Sequence, residues 1–418
     1  MKKQLLAMAV AATFAAPAVA QQVTVSGTLD ISPISMTKRS ISTESRTESA
    51  TTTGGNWATS LVNFQATEDL GGGLKATAFV NQVVNATTGE FTARDRWIEL
   101  SGGFGAIKAG RFSPAAEGGY TAFAVAGTTN SAGTTDSSAY DLFVGTLGLT
   151  DAYSRTTSIN TVADNQSAIS SAFDISSRDA GRQAGIVQFT TPTMGGLKAT
   201  VELIQSSDDR DATARTGEAE TKQQGVVLAY TAGALSVSGS LTKRSVKREA
   251  AAASSLVAAN GTTGLTNTEY VSNGTGQILS GTAAIVERKV ESAISWVGAS
   301  YNLGPAIVQY AYATRKDEMS ANNAANVTQS DLKVHNIGVK VPLGAATLSV
   351  SSYDGDDTRS PTDATDDVSI KGHQIGIKYD LSKRTYAYGV TGVNKASSAT
   401  AGNNTKREQT NFGVVHTF

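Results

Sequence analysis

The sequence predicts an all-β fold: a 16-stranded antiparallel β-barrel that spans a membrane, with short turns at one end and long loops at the other. Alternating apolar and polar residues recur in segments of about ten residues, the length that a tilted strand needs to cross a bilayer. Glycine-centred tight turns join many of these segments in pairs. After the first 20 residues there is no run of 18 or more apolar residues, so membrane-spanning helices are not expected.

The first 20 residues are predicted to be a secretory signal peptide that is cleaved from the mature chain. Lys2 and Lys3 supply its basic start, an apolar stretch follows at 5–16, and residues 18–20 read Ala-Val-Ala, a typical cleavage site. The barrel domain is therefore predicted to cover residues 21–418 of an exported protein.

Sixteen segments are predicted as strands, and an even number suits an antiparallel barrel whose two ends lie on the short-turn side. The turns on that side share sequences such as LGGGLKATAFV at 70–80 and MGGLKATVELI at 194–204. The opposite connections are rich in Ser, Thr, Asn and Asp and lie at 38–56, 113–182, 207–221, 248–285, 316–330, 355–369 and 395–405. The predicted strands are 23–32, 58–68, 74–84, 94–101, 106–112, 184–191, 197–206, 223–230, 235–246, 288–301, 306–314, 332–341, 346–353, 370–380, 384–393 and 407–418.

The two faces of the predicted strands differ in polarity. At 197–203 the apolar residues Leu197, Ala199, Val201 and Leu203 alternate with Lys198, Thr200 and Glu202. A membrane barrel with a wet interior turns its apolar face to lipid, so the polar face is predicted to line a lumen. Aromatic residues near strand ends are predicted to form a girdle at the membrane interface: Trp97, Trp296, Tyr301, Tyr379, Tyr386 and Phe418.

Composition argues against other classes of protein. Cysteine is absent, which excludes disulfides and thiolate chemistry. Without Lys2 and Lys3, 33 of the 35 basic residues stand against 36 acidic ones, so there is no electrostatic basis for nucleic-acid binding.

No catalytic, cofactor or metal site is predicted. The three histidines, His335, His373 and His416, fall on the outward face by alternation, and no catalytic triad, phosphate-binding loop or zinc spacing occurs. The acidic segment 354–367 resembles a calcium loop but lacks its Gly at position six and Glu at position twelve. A solvated surface loop is the favoured interpretation, and loose bridging to lipopolysaccharide through divalent cations is the alternative.

Four stretches carry a family resemblance: VTVSGTLD at 23–30, GGFGAIKAGR at 102–111, YDLSKRTYAYGV at 379–390 and FGVVHTF at 412–418. Together the mature chain resembles the general porins of Gram-negative bacteria, in particular the trimeric 16-stranded type of β-proteobacteria. The resemblance implies a homotrimer in the outer membrane, in contact with lipid and lipopolysaccharide. It also implies that the barrel assembly machinery recognises the last strand as an assembly signal through Phe412, Val414, His416 and Phe418.

The resemblance also implies where a pore constriction would lie. The segment 113–182 corresponds to the constriction loop but is roughly twice as long as is usual, so the part that enters the pore is not assigned. Arg111 is expected on the wall facing this loop, and Arg94 and Arg96 either extend a basic ladder or form a solvated pair at the rim. The facing acidic side chains are expected from Glu117, Asp136 and Asp141, with Tyr120 and Phe123 narrowing the opening.

The expected function is a water-filled channel for passive diffusion of small hydrophilic solutes and ions. One alternative is a substrate-specific channel whose long loop builds a binding site; another is an outer-membrane enzyme or adhesin. Selectivity between anions and cations is not predicted, because it depends on where the charges stand and not on their sum.

Overall fold

A computed structural model describes residues 22–41, 44–52, 57–85, 88–115, 183–208, 219–248, 255–257, 263–266, 288–321, 327–359, 367–398 and 405–418. The predicted signal peptide and nearly all of the 113–182 loop lie outside these residues. No helix among the described residues is long and apolar enough to span a membrane.

Sixteen antiparallel strands form one closed barrel, as predicted. Each wall strand pairs with the next along the chain, and pairing between the first and last strands closes the ring. The wall strands are β1 (Gln22–Ile41), β3 (Leu61–Gly71), β4 (Leu74–Val84), β5 (Phe91–Gly102), β6 (Gly105–Phe112), β7 (Gln183–Thr190), β8 (Leu197–Asp208), β9 (Ala219–Ala232), β10 (Leu235–Arg248), β13 (Arg288–Asn302), β14 (Ile307–Ala321), β15 (Val327–Leu343), β16 (Ala346–Arg359), β17 (Val368–Asp380), β18 (Thr385–Ser398) and β19 (Thr405–Thr417). Three further strands are β2 (Glu44–Thr52) and the two strands of a small hairpin, β11 (Ser255–Val257) and β12 (Thr263–Thr266).

Several strands continue past their predicted ends on the long-loop side. β1 and β2 occupy part of the predicted loop 38–56, while β14 and β16 extend to Ala321 and Arg359. The predicted loop bounds were wrong there because the hydrogen-bonded ladder continues through polar residues. Polar residues beyond the lipid-facing band need no apolar alternation, so the sequence pattern ends before the strand does.

The second position of the barrel wall is divided between β2 and β3. The distal part of β1, from Ser32 to Ile41, pairs with β2, whereas Gln22 to Thr28 pair with β3. Between them Trp57 is buried against Tyr388 and Val415. The chain therefore leaves the wall between these two strands and places an aromatic side chain inside the barrel.

The two faces of the wall differ as the alternation predicts. Polar side chains that point inward are buried, including Glu202, Gln223, Asn336, Gln374 and Asn411. The outward face carries exposed apolar side chains around the ring, including Val25, Phe64, Val80, Ile98, Ile107, Val187, Leu203, Leu228, Leu241, Val297, Tyr310, Ile337, Val350, Ile377 and Val414. An apolar outside around a polar inside is the arrangement of a membrane barrel.

The barrel closes where the C-terminal residue meets β1. The Gly27 N–H donates to the Phe418 carbonyl (3.0 Å), and the Phe418 N–H donates to the Gly27 carbonyl (3.1 Å). A Cβ on Gly27 would stand 2.8 Å from ring carbon Cε2 of Phe418 and from the Leu61 carbonyl oxygen. The Phe418 ring, 50% exposed, thus lies over a position that only glycine leaves open.

The short turns also depend on glycine. Gly196, in the turn before β8, has φ +86, and an added Cβ would overlap the Thr231 carbonyl oxygen. The Thr231 N–H in turn donates to the Gly196 carbonyl at 3.0 Å. Glycine is required here for both the backbone angle and the close approach of the neighbouring strand.

Candidate pore-lining site

A row of polar side chains crosses the inner wall from β5 to β8. The register pairs Glu99 with Lys108, Lys108 with Gln188, and Gln188 with Glu202. Directly paired residues of antiparallel strands share one face, so all four side chains are on the lumen side. The Gln188 amide nitrogen donates to Glu202 Oε2 at 3.3 Å, which links the row physically.

Lys108, one of the four residues of this row, also contacts an aromatic cluster. Its ammonium nitrogen lies 4.1 Å from the centroid of the Phe112 ring and 5.5 Å from that of Trp97. Glu99 is its direct register partner on β5, and Gln188, its register partner on β7, is bonded to Glu202. A cation over an aromatic face and near carboxylates is a fixed positive charge on the lumen wall.

The start of the 113–182 segment is attached to this row. Phe112 is buried against Ile186 and Ile204, beside the partly buried Trp97. Three residues later, the Ala115 N–H donates to Glu202 Oε2 at 2.7 Å. Because Glu202 is an inward side chain of β8, the chain that leaves β6 is held at the lumen side of the wall.

A β-bulge separates two of the predicted basic residues. Val80 pairs with Arg96 and Gln82 with Ala93, so Arg94 and Asp95 together oppose the single residue Asn81. The Asp95 N–H donates to the Asn81 side-chain oxygen at 2.6 Å. Simple alternation through this stretch, which predicted that Arg94 and Arg96 share one face, was therefore wrong.

Arg96 lies on the outward face. It pairs with the exposed Val80 and alternates in step with the exposed Ile98 on the same strand. Arg94 is half-buried in the bulge, and its carbonyl oxygen accepts a 2.6 Å hydrogen bond from Arg111 Nη1. Arg94 and Arg96 therefore do not share one face, as the proposed basic ladder would require.

The register pairs Arg111 directly with the outward Arg96, which favours the outward face for Arg111 as well. Counting from the exposed Ile107 would put it outward, but Gly110 has φ +148 directly before it. A Cβ at Gly110 would stand 2.6 Å from the Trp97 Cα, so the backbone is tightly apposed to β5 at this point. The pairing with β7 also shifts register between Gly110 and Phe112, and the pore role of Arg111 stays a prediction.

The predicted loop residues Glu117, Tyr120, Phe123, Asp136 and Asp141 lie outside the described residues, and their roles stay predictions. Lys108 and Glu202 were not predicted as site residues. The alternation at 197–203 already placed Glu202 on the inward polar face with Lys198 and Thr200, and that was the signal that pointed to it.

A second group inside the barrel is centred on Asp30. Its side-chain oxygen Oδ2 accepts hydrogen bonds from the Trp57 and Ala58 N–H groups, both at 2.7 Å, and Oδ1 accepts the Tyr388 hydroxyl at 2.9 Å. The Asp30 N–H donates to Ser60 Oγ at 2.9 Å. This carboxylate fixes the chain between β2 and β3 inside the lumen, a role that the sequence did not predict.

The predicted aromatic girdle is confirmed in part. Tyr301, Tyr379 and Phe418 are outward and about half exposed. Trp296 is 3% exposed, and Trp97 and Tyr386 pack in clusters inside the barrel, so these three assignments were wrong. Position near a strand end does not determine the face, which depends on the register.

The three histidines are outward, as predicted. His335 Nδ1 shares a 2.7 Å hydrogen bond with Tyr310 Oη, and His416 Nδ1 shares a 2.9 Å hydrogen bond with Thr385 Oγ1. His373 is exposed on β17. Within the described strands and turns, no group of three or more His, Cys, Asp or Glu side chains is arranged to hold a metal ion.

A closed 16-stranded barrel with a polar lumen and an apolar outer face defines a membrane channel. The chain belongs to the Gram-negative porin family, whose model matches residues 7–399. Among curated proteins, none matches the sequence significantly. The protein is therefore a multi-pass β-barrel of the outer membrane, of a family whose members are channels for the diffusion of small solutes.

Solved structures share this fold. An anion-selective porin from Comamonas acidovorans superposes with a TM-score of 0.59 at 19% identity, covering 95% of this chain and 100% of that one. The trimer form of OmpT, an outer-membrane protein of Vibrio cholerae, has a TM-score of 0.57 at 13% identity, covering 96% and 100%. At these identities the likeness concerns the fold.

Proposed function

We propose that the chain forms a water-filled channel through which small hydrophilic solutes and ions diffuse passively. The observation that supports this most directly is the inner wall, where polar and charged side chains of many strands face the lumen. A solute that crosses such a lumen can exchange part of its hydration for contacts with these side chains.

The narrowest part of this channel is proposed to involve the 113–182 segment. Its acidic and aromatic candidates remain Glu117, Asp136, Asp141, Tyr120 and Phe123, opposite a basic wall. Arg96 is not retained in this wall because it lies on the outward face. To the remaining candidates Arg111 and Arg94 we add Lys108, because it shares the inward face with Gln188 and Glu202. Opposed charges across a narrow aqueous gap create a transverse field that orients dipolar solutes.

The test is a single-channel recording in a planar bilayer with a salt gradient. Passive diffusion predicts an ohmic current that rises with salt and does not saturate with any one solute. Saturation with a single solute would favour a substrate-specific channel instead. A folded barrel that carries no current would contradict the proposal and favour an adhesin or an enzyme.

We propose that the protein assembles as a homotrimer. The fold is shared with OmpT of Vibrio cholerae, for which a trimer form is described, and with other porins. Heat-modifiable migration on gels, compared with mass photometry in detergent, would distinguish a trimer from a monomer.

The partners are proposed to include membrane lipid and lipopolysaccharide. On the outer face the register aligns Lys243, Ala293 and Lys316 in one row across β10, β13 and β14. Around the small Ala293 lies a depression of about 500 Å³, which Lys222, Lys243, Lys316, Glu291 and Glu318 help to line. Leu241, two residues closer to the short-turn side, is 72% exposed, so the depression borders the apolar band.

The charges of this depression suit a phosphate group. Lys316 pairs with Glu318 (2.6 Å), and Glu291 pairs with Lys289 (2.7 Å). Among the described contacts Lys243 has no ion pair, and its charge remains available at the level of a lipid headgroup. Each lysine near an anionic membrane surface contributes about 1 kcal/mol of attraction.

We also propose that the C-terminal strand is the signal read by the barrel assembly machinery. Phe412, Val414, His416 and Phe418 lie on one exposed outward face of β19 and its end. An alternating face that ends in an aromatic ring is available to a binding partner before the ring of strands closes.

A further inference from the structure

We propose that Lys198 and Lys340 make the short-turn mouth of the barrel a separate selectivity site, which favours anionic solutes over cations. The inference rests on the proposed channel function and adds the class of solute that this mouth attracts. Neither lysine was predicted as a site residue, and their common position depends on the register of β8 and β15 with their neighbours.

Both lysines lie on the inner wall within a few residues of a short turn. Lys198 is the second residue of β8 and shares the inward face with Glu202. Lys340, three residues from the end of β15, pairs directly with Ser349, which is buried on the inner wall. Lys198 is exposed and Lys340 is half-buried, so both ammonium groups are within reach of ions that enter this mouth.

Two other inward lysines of the wall strands at this mouth have a carboxylate beside them. Lys75, at the start of β4, pairs directly with Asp69 of β3. On β17 the Lys378 Nζ contacts Asp380 Oδ1 at 2.8 Å. Each of these lysines is therefore largely neutralised by a neighbouring acid and adds little to the net charge of the mouth.

Lys198 and Lys340 have no such neighbour on the paired strands. Lys198 pairs directly with Ala229, and Lys340 pairs with Ile307 and Ser349, none of which carries a charge. Among the described contacts neither lysine forms an ion pair. Since β9, β10, β13 and β14 separate β8 from β15 in the wall, the two charges lie on different parts of the rim.

The mouth is distinct from the transverse row that runs from Glu99 to Glu202. Glu202 follows Lys198 by four residues on β8, which is about 13 Å along an extended strand. The Debye length is about 8 Å at physiological ionic strength, so the two carboxylates of the row compensate the mouth lysines only weakly. An ion that enters from the short-turn side therefore meets an excess of positive charge first.

The action of these charges depends on the salt concentration at the mouth. The Debye length is about 30 Å at about 0.01 M salt but about 3 Å at about 1 M, so the lysines act over the width of the mouth only in dilute solution. In water, a unit charge about 10 Å from an ion changes its local concentration about twofold, upward for an anion and downward for a cation. Each lysine should therefore raise the anion-to-cation permeability ratio about two- to fourfold when the short-turn side is dilute.

The experiment measures the reversal potential of single channels across a salt gradient of about 0.01 M against about 1 M, applied in both directions. With the dilute solution at the short turns, Lys198→Gln and Lys340→Gln should each lower the anion-to-cation permeability ratio about two- to fourfold. With the gradient reversed, both variants should match the parent. Glu68→Gln is the matched control, because Glu68 lies at the same end of β3 on the outer face, in step with the exposed Phe64. Its two reversal potentials should equal those of the parent.

Single thiols fix the orientation of the channel and replace the charge in the folded protein, because the sequence contains no cysteine. Biotin attached to Thr193→Cys, in the short turn before β8, binds streptavidin, which is too large to cross the barrel and so shows which compartment the short turns face. In Lys198→Cys, a methanethiosulfonate that adds an ammonium group should restore the permeability ratio of the parent. One that adds a sulfonate should lower the ratio about two- to fourfold below that of the unmodified thiol.

The outcomes distinguish the two proposals. Unchanged reversal potentials in both lysine variants would overturn the selectivity role of this mouth while leaving the channel function intact. Equal shifts in both gradient directions would show that the two charges act at a narrow, unscreened point of the lumen, and would also overturn it. A folded parent protein that conducts no ions would contradict the channel function, and this inference with it.

Discussion

The carboxylate of Asp30 should make a large contribution to the order of the lumen segment between β2 and β3. Asp30 is 0% exposed, and it accepts the N–H groups of Trp57 and Ala58 and the hydroxyl of Tyr388. Asp30→Ala removes all three acceptor contacts at once and leaves the buried donors without them. The segment would then be held mainly by the packing of Trp57 on Tyr388, whose ring centroids lie 5.0 Å apart.

The magnitude follows from the number of bonds. A hydrogen bond to a charged group contributes about 1.5–3 kcal/mol, so three of them set an upper limit of about 9 kcal/mol for Asp30→Ala. Such contributions are not additive, and we expect a loss of about 3–5 kcal/mol, as for other broken buried charge contacts. Asp30→Asn keeps one oxygen for the two backbone donors, and the Tyr388 hydroxyl can rotate to accept from the new amide. Its cost should therefore be only about 1–2 kcal/mol.

The assay is urea unfolding of the protein refolded in lipid vesicles, followed by tryptophan fluorescence. The order of stability should be parent, then Asp30→Asn, then Asp30→Ala, and Tyr388→Phe should lose about 1.5–3 kcal/mol. Acrylamide quenching in the native state should rise in Asp30→Ala because Trp57 becomes accessible. A double-mutant cycle between Asp30 and Tyr388 that gives no coupling, together with unchanged quenching, would refute the role of this carboxylate.

Four further outcomes are expected. Gly27→Val should displace the Phe418 ring, because the added side chain overlaps ring carbon Cε2. Like Phe418→Lys, it should lower the yield of heat-modifiable barrel in outer-membrane fractions. An undiminished yield in both variants would contradict the assembly-signal proposal. Lys108→Glu should shift the reversal potential in a salt gradient toward cation preference, since low-dielectric walls focus the field of a fixed charge. Arg111→Glu should shift it in the same sense if that side chain reaches the lumen, and an unchanged potential would remove Arg111 from the constriction. Lys243→Glu should weaken co-purification of lipopolysaccharide by about fivefold or more, because an attraction of about 1 kcal/mol is replaced by repulsion. The conductance should not change. Co-purification of lipopolysaccharide equal to that of the parent would show that the outer depression is not a phosphate site.

Only part of the candidate site could be predicted from the sequence. Alternation identified inward polar positions, and Glu202 belonged to one of them. Its partner Ala115 could not be predicted, because residues 87 positions apart in the chain meet only through the register of three strands. Asp30 and Tyr388 are separated by 358 positions and meet only because the barrel closes.

The errors of prediction have the same origin. The bulge at Arg94 and Asp95 inserts one residue opposite Asn81 and changes the face of the residues beyond it. Trp97 and Trp296 stand in segments that alternate, but the alternating pattern alone left their faces open. Their inward position was determined by their neighbours on adjacent strands.

The sequence by itself determined the all-β class, the number of wall strands, the asymmetry of turns and loops, and which face of most strands is apolar. These properties are local, because the alternation is visible within each strand of about ten residues and most of the tight turns carry a glycine of their own. The tertiary structure alone decided the transverse rows, such as Glu99 to Glu202, and the inward path of the chain at Trp57 and Ala115. The physical reason is that a row across a barrel depends on the relative register of neighbouring strands, and one extra residue in a single strand moves every later side chain to the other face.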